Sequence, residues 1–565
     1  MADSWNLPFG DLRDLSRDDV RADLVAALTV TFLAIPQGVA YAMIAGLPPV
    51  VGLYASFLPT IFAALLRSSK HAISGPSNAV SLLVGTAVAA NVGTDPISTA
   101  LVLAAMVGIV QVAAGMLRLS VLVDYISIPV VAGYITGAGA LIAIGQLPHL
   151  TATQGAGPGA SVIEKFEVWF GGLGGANELA VALSIGCAGT ILLLRWLGKK
   201  FSINIPSALV VLAAATLGAW LFDFSGRGLT LVADLASVPR QLPPLSLPDF
   251  SGWRPLVPFA IAASVLSLVE SSSVSRTLAA HTGQRLGLTF EFIGQGVGNL
   301  IASVSGGYPV STSLSRSSIN HRAGAKSRLS GVFSGLAVGI VLLAFGPALE
   351  FTPIAGLAGL LLVVAFDLVD IDRITRILRG RRSDAIAFVA TLIGTWVLAL
   401  DTAIYFGVAI SLFSYLRRAR ILRTIYLVKG DDGNIMQTQE PPPGDVHILQ
   451  VDGQLFFAAT SELEEAIDSA LSQPQLKTLI VRIRRAIGMD VTIATRLAEL
   501  AATARQRGKS LVLTGVTEDS RRILERTGAL GEIGTENTYA QTECLLEGVD
   551  RALDDAQLVA QTPEP

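Results

Sequence analysis

Two ionisable side chains stand where the sequence around them is otherwise apolar. Arg316 lies within GGYPVSTSLSRSSIN (306–320) and Glu270 within VLSLVESSSVSRTL (265–278). An arginine at the centre of a bilayer costs roughly 2.5–3.5 kcal/mol on insertion scales, so it must face a polar cavity or a partner. Around Arg316 stand Gly306-Gly307, Pro309 and the hydroxyls of Ser311, Ser313 and Ser315. A helix interrupted there would offer free N–H groups beside a fixed positive charge, and that combination holds anions. Glu270 falls about two turns from Arg276 on a helix, inside the apolar run. A buried carboxylate needs a compensating cation, and Arg316 is expected to be its partner.

A second interrupted segment precedes these. In the stretch 34–83, which begins AIPQGVAYAM, Pro36 and Gly38 are expected to weaken the first helix midway, where Gln37 and Tyr41 would supply polar groups. Ser74-Gly75-Pro76-Ser77 then opens a half-helix with Asn78 in its first turn. Aligned peptide dipoles give such an N-terminus about half a unit of positive charge. Two such ends and Arg316 meeting at one point would make an anion site without any catalytic group. The candidate ligands are Arg316, Ser315, Ser313, Ser311, Gln37, Tyr41, Ser77 and Asn78, with Glu270 as the candidate proton carrier.

These residues need a membrane scaffold. The 565 residues are 51% hydrophobic and 15% charged, with mean hydropathy +0.58. A soluble domain carries about 25% charged residues, so this is a polytopic α-helical membrane protein with a soluble portion. A net charge of −3 argues against a nucleic-acid partner. Cys187 and Cys544 suit neither a disulfide nor a metal cluster, and the five histidines show no ligand spacing. No metal or cofactor is expected, and no nucleophile–base pair survives to suggest an enzyme. The polar, acidic start lacks the apolar core of a signal peptide, so the first span is expected to remain as an anchor.

Apolar runs and their punctuation give fourteen candidate spans, near 24–45, 50–66, 76–90, 98–117, 127–147, 177–197, 204–222, 257–277, 287–304, 311–321, 328–346, 353–370, 384–400 and 402–417. The third and tenth are too short to cross a hydrocarbon core of ~30 Å. Each is third in a run of seven and each follows a Gly/Pro break, which implies two inverted seven-span repeats with the site between them. With the N-terminus inside, the inward segments up to Arg423 hold 23 Lys and Arg. The outward segments hold four: Lys165, Arg227, Arg240 and Arg254. That asymmetry points to a cytoplasmic N-terminus and C-terminal domain. The membrane expected is the inner (plasma) membrane. Asp124 and Asp367 fall at span ends and are expected to be solvated.

The domains expected are a cytoplasmic segment (1–23), a transmembrane domain (24–423), a linker (424–445), an α/β domain (446–556) and a tail (557–565). In the α/β domain the candidate strands are HILQV, QLFFA, TLIVRI and SLVLTGV, with helices beginning near Ser461, Val491 and Glu518. GQGVGN (294–299) superficially suggests a nucleotide loop, but no strand precedes it, and close helix packing through small residues is the better reading.

The chain resembles the sulfate permease family, the bacterial and plant relatives of the solute carrier 26 anion transporters. The resemblance rests on IPQGVAYAMIAGLPPVVGLYASF (35–57), SGPSNAVSLL, GQGVGNLIASVSGGYPVSTSLSRSSIN (294–320) and VDGQLFFAAT (451–460). It implies core and gate subdomains built from the two repeats, a cytoplasmic domain related to anti-sigma factor antagonists, and a homodimer. It also implies that a glutamate on span eight and an arginine opening span ten mark proton-coupled sulfate carriers, positions filled here by Glu270 and Arg316. Sodium-coupled bicarbonate members have instead an aspartate and, four residues on, a threonine. Val274 at the latter position lacks the oxygen a hard cation needs. In the C-terminal domain the phosphorylatable serine of the antagonists is replaced by Val491, within Met489-Asp490-Val491-Thr492, so switching by that route is not expected and Thr492 is left as the alternative position. Asp490 can still cap the following helix.

A proton-coupled symporter of a small oxyanion, sulfate first, is therefore the leading expectation. The alternatives are a sodium-coupled bicarbonate or dicarboxylate carrier, a chloride exchanger, a passive anion channel, and a membrane signalling protein.

Overall fold

The computed structural model describes residues 15–91, 93–120, 126–157, 160–201, 205–235, 237–429, 435–543 and 547–561. Cys544 and Asp124 lie outside them. The chain divides into two compact units, Met1–Ser411 and Leu412–Pro565.

In the first unit the elements are α1 (Arg17–Ile44), α2 (Pro49–Ser56), α3 (Leu58–Leu66), β1 (Ser74–Gly75), α4 (Asn78–Ala90), α5 (Pro96–Met116), α6 (Ile128–Thr151), α7 (Val162–Gly172), α8 (Glu178–Phe201), α9 (Ser207–Leu221), α10 (Val232–Leu235), α11 (Val257–Thr282), α12 (Leu288–Val304), β2 (Ser311–Thr312), α13 (Leu314–Arg322), α14 (Leu329–Leu349), α15 (Ile354–Asp367), α16 (Ile371–Arg379), α17 (Arg382–Val397) and α18 (Leu400–Ala419). Every one of the fourteen candidate spans carries a helix. Eight helical stretches among the described residues are long and apolar enough to cross a membrane. The third and tenth spans are short, α4 with 13 residues and α13 with nine.

The first helix starts earlier than expected, at Arg17, because Ser16 and Asp19 form a capping box. It also runs unbroken through Pro36, so the expected midway weakening does not appear. Gly38 serves packing instead. A Cβ on Gly52 of α2 would stand 1.9 Å from the Gly38 carbonyl oxygen, so only glycine lets the two backbones touch. The GQGVGN stretch behaves in the same way. Gly296 meets the backbone of Val112 and Gly108 on α5, and Gly294 meets Arg67.

The helices fall into two groups. α12 packs on α3, α5 and α11, and α14 packs on α1 and α3; α6, α8, α15 and α17 pack among themselves. These are the core and gate of an inverted-repeat membrane fold. Between the repeats the two short strands cross antiparallel, Ser74 opposite Thr312 and Gly75 opposite Ser311. The opposed chain directions are those that two repeats of opposite orientation require.

The second unit is an α/β domain with strands β3 (Arg423–Lys429), β4 (Ile435–Thr438), β5 (Val446–Gln454), β6 (Thr478–Arg482), β7 (Ala486–Ile487), β8 (Ser510–Val516) and β9 (Thr538–Ala540). The path β4-β3-β5-β6-β8-β9 is antiparallel up to β5 and parallel beyond it. Helices α19 (Thr460–Leu471), α20 (Val491–Gln506) and α21 (Glu518–Arg526) begin where the sequence indicated; α22 (Ala529–Ile533) and α23 (Glu547–Gln561) complete the unit. Two expectations fail here. QLFFA forms no strand: β5 ends at Gln454, after Gly453 at φ 138°, and Phe457–Ala459 is a 3₁₀ turn. The segment read as a linker carries β3 from 424 onward and β4, because TIYLV pairs with β5. Asp490 caps α20, accepting from Ile493 N at 2.9 Å, and its other oxygen accepts from Phe457 N at 2.7 Å.

Candidate anion site

The strand crossing is held from one side by α12. Gln295 Nε2 donates to the Val310 carbonyl at 2.8 Å, and Asn299 Oδ1 accepts from Val310 N at 2.7 Å. Asn299 Nδ2 in turn donates to Gln111 Oε1 at 2.8 Å. Ser267 of α11 donates to the same Val310 carbonyl at 3.2 Å. Tyr308 is buried, with its hydroxyl 2.8 Å from Ser81 Oγ on α4. Two-residue strands have too few ladder bonds to persist alone, so this polar scaffold fixes where the short helices begin.

From the crossing, α4 and α13 each start on a serine. Ser77 caps α4 without a side-chain bond to its amides, whereas Ser313 accepts from Arg316 N at 3.4 Å. Arg316 is 1% exposed, and its Nη2 donates to the Pro76 carbonyl, tying α13 to the segment that opens α4. Its Nε has no hydrogen-bond partner among the described residues. Gly75, at φ 149°, gives it room: a Cβ there would stand 2.5 Å from Arg316 Nη1.

Glu270 is half-buried on α11 and accepts from Ser77 Oγ at 3.2 Å. No ion pair joins it to Arg316, contrary to expectation. The two charges are held by neighbouring residues of one segment, Glu270 by the Ser77 hydroxyl and Arg316 by the Pro76 carbonyl. Sequence fixes the order of charges along the chain, but the direction of each side chain depends on what its helix packs against.

A cavity of about 1020 Å³ opens beside the crossing. Gln37, Tyr41, Ser77, Asn78, Glu270, Ser313 and Ser315 line it. Gln37 Oε1 is buried without a partner, Asn78 Oδ1 accepts from Ala79 N at 2.7 Å, and the hydroxyls of Ser313 and Ser315 are 3.1 Å apart. Ser311 and Arg316 are not in the cavity wall. They sit behind it, fully buried, with Ser311 Oγ donating to the Ser267 carbonyl at 3.4 Å. The cavity extends past Arg276 and Arg322 to Asp370 and Arg373. At its edge Asp367 pairs with Arg195 at 2.7 Å, so this acid is bridged as well as partly exposed. Cys187 is a free buried thiol. Among the described residues no cluster of three or more metal-ligating side chains occurs.

Gln295, Asn299 and Thr312 also belong to this site, beyond the candidates that the sequence offers. A polar residue every fourth position on the glycine face of α12 is the signal that marks the first two.

The sulfate permease family matches residues 20–391, and the STAS domain matches 438–542. A Bacillus subtilis protein named as a sulfate transporter is 26% identical over 94% of this chain and 98% of its own length. An Arabidopsis thaliana protein named sulfate transporter 4.2 is 28% identical over 91% of this chain and 79% of its own. The structure of the murine solute carrier 26 member A9 anion transporter, inward-facing, superposes with TM-score 0.87 at 20% identity, over 99% of this chain and 96% of that one. The chain belongs to the sulfate permease family, as a helical membrane anion transporter carrying a C-terminal STAS domain.

Proposed function

We propose that this protein is a secondary active transporter that takes up a small oxyanion, sulfate first, by proton symport. The observation that carries the reading is the strand crossing beside the cavity, where two short helices begin and where Arg316 and Glu270 are held by the adjacent residues Pro76 and Ser77. Helix ends and a buried guanidinium supply positive potential without chemistry, as a carrier requires. Glu270 lies in the cavity wall one residue's contact away from Arg316. An anion that neutralises the site would favour protonation of the carboxylate, and by linkage a proton there would favour the anion. Elevator-like movement of the core against the gate, a homodimer in the plasma membrane, and a cytoplasmic position for both termini complete the reading. On that orientation the cavity faces the cytoplasm through Arg276 and Arg322.

Uptake of labelled sulfate into proteoliposomes under an imposed inward proton gradient tests it. Accumulation that follows the proton gradient supports the proposal. Accumulation that follows only sodium points to the bicarbonate-type carrier, and flux that is neither saturable nor concentrative points to a channel.

A further inference from the structure

A second arginine bears on the strand crossing. Arg67 follows α3, in a position that the sequence presents as a loop cation, yet it is 0% exposed. Its Nη2 donates to Ser74 Oγ at 2.8 Å, Gln295 Oε1 at 3.0 Å and Thr312 Oγ1 at 3.2 Å. Ser74 and Thr312 are register partners in the two strands, so one guanidinium grips both. Nε and Nη1 of Arg67 have no hydrogen-bond partner among the described residues. Glu291, a fully buried carboxylate near it, is engaged elsewhere, accepting from Ser68 Oγ at 2.9 Å, Ser69 N at 2.5 Å and Ser275 Oγ at 2.8 Å. No ion pair joins Arg67 to Glu291, so the charge of Arg67 is not cancelled by contact.

Burying a guanidinium is costly, and a neutral side chain could meet the same three oxygens. What arginine adds is a fixed charge. Thr312 is the link to the site, because it bonds to Arg67 and also lines the cavity. Arg316 acts on the next residues of the same crossing, at Gly75 and Pro76. Two guanidinium groups thus bear on three strand residues, Ser74, Gly75 and Thr312, and on Pro76, which follows β1.

We propose that Arg67 is a positioning residue for the transported anion, acting through Thr312, and that with Arg316 it makes the site select divalent over monovalent oxyanions. The inference rests on reading the crossing as the anion site. The energy of an ion in a fixed field scales with its charge. Removing one distant cation should therefore weaken binding of a dianion by the square of the factor it costs a monoanion.

The test is equilibrium binding of sulfate and of nitrate to the purified full-length protein at constant ionic strength. In Arg67→Gln, nitrate affinity should fall about threefold and sulfate affinity about tenfold, while Arg67→Lys keeps the wild-type ratio. Glu291→Gln keeps an acceptor but removes a nearby negative charge that opposes the field of Arg67 without touching it, so the sulfate-to-nitrate ratio should rise. Equal losses for both anions in Arg67→Gln, or an unchanged ratio in Glu291→Gln, overturns the proposal. If Arg67→Gln does not fold, Glu291→Gln decides alone. If Arg316→Gln binds sulfate as wild type does, the reading of the site itself has failed, independently of Arg67.

Discussion

The two arms that meet at the strand crossing share a layout and differ in chemistry. Each consists of a two-residue strand, a serine cap and a short helix. The first arm continues as NAVSLLVGTAVAA, almost wholly apolar, and contributes backbone: the Pro76 carbonyl and the start of α4, whose amides take no bond from the Ser77 side chain. The second continues as LSRSSINHR, polar along its length, and contributes charge through Arg316. Repeat symmetry supplies two helix ends at one point, and the asymmetry of side chains decides what those ends can hold. The apolar arm can pack permanently against α1 and α11, leaving the polar arm to answer the ligand.

If that division holds, substitutions in the second arm should cost far more binding than matched ones in the first. Arg316→Gln is expected to weaken sulfate binding by about a hundredfold or more, the usual scale for losing a buried charge in a recognition site. Asn78→Ala in the first arm should cost only about two- to fivefold, the scale of a helix-terminus contribution. Comparable losses in isothermal titration would break the comparison. Glu270→Gln, which mimics the protonated carboxylate, should retain anion exchange but lose acceleration by an inward proton gradient. Gradient-driven accumulation by that variant would make Glu270 structural.

Gly75→Ala sharpens the comparison, since it alters only the room the first arm gives to the second. A methyl 2.5 Å from Arg316 Nη1 must displace the guanidinium, so sulfate affinity should fall about tenfold while expression is kept. Tyr308→Phe breaks the bond to Ser81 that joins the arms away from the cavity. It should lower stability by about 1 kcal/mol, read as a shift of the thermal midpoint, with anion affinity unchanged.

The smallest effect is a control in the second unit. His447 is 2% exposed, and burial lowers its pKa below the ordinary histidine value. Above about pH 6.5 both folded and unfolded forms are neutral and the residue contributes no pH dependence. As pH falls through that value the unfolded chain takes up a proton that the folded domain does not, so stability declines with acidification. Protection of the β5 amides, measured as the exchange rate relative to the intrinsic rate at the same pH, should fall below about pH 6.5 in the wild type and lose that dependence in His447→Phe.

Where the short helices begin was legible because Gly-Pro and Gly-Gly-Tyr-Pro breaks precede segments too short to span. The strand crossing was not, since two residues carry no periodicity. Arg67 follows an apolar run and precedes Ser68, Ser69 and Lys70, which reads as a solvated loop until α12 covers it. The Glu270–Arg316 pairing failed because Glu270 lines the cavity and is held by Ser77, while Arg316 is buried behind the wall and held by the Pro76 carbonyl. In the second unit, α20 was found from Asp490 and its amphipathic run. β3 was overlooked because its seven residues lie between a basic cluster and an acidic, Pro-rich stretch.

The crossing also dictates an order of manufacture. Of the three groups that Arg67 bonds, Ser74 is seven residues away, but Gln295 and Thr312 are 228 and 245 residues downstream. A nascent chain must thread β1 and Arg67 into the bilayer and hold them there, half satisfied, while more than two hundred further residues leave the ribosome. Until α12 and β2 arrive, the first repeat carries an open polar wound within its apolar mass. Chains cut short between the repeats should be recognised and destroyed by membrane proteases, and co-expressed halves should survive only as a pair.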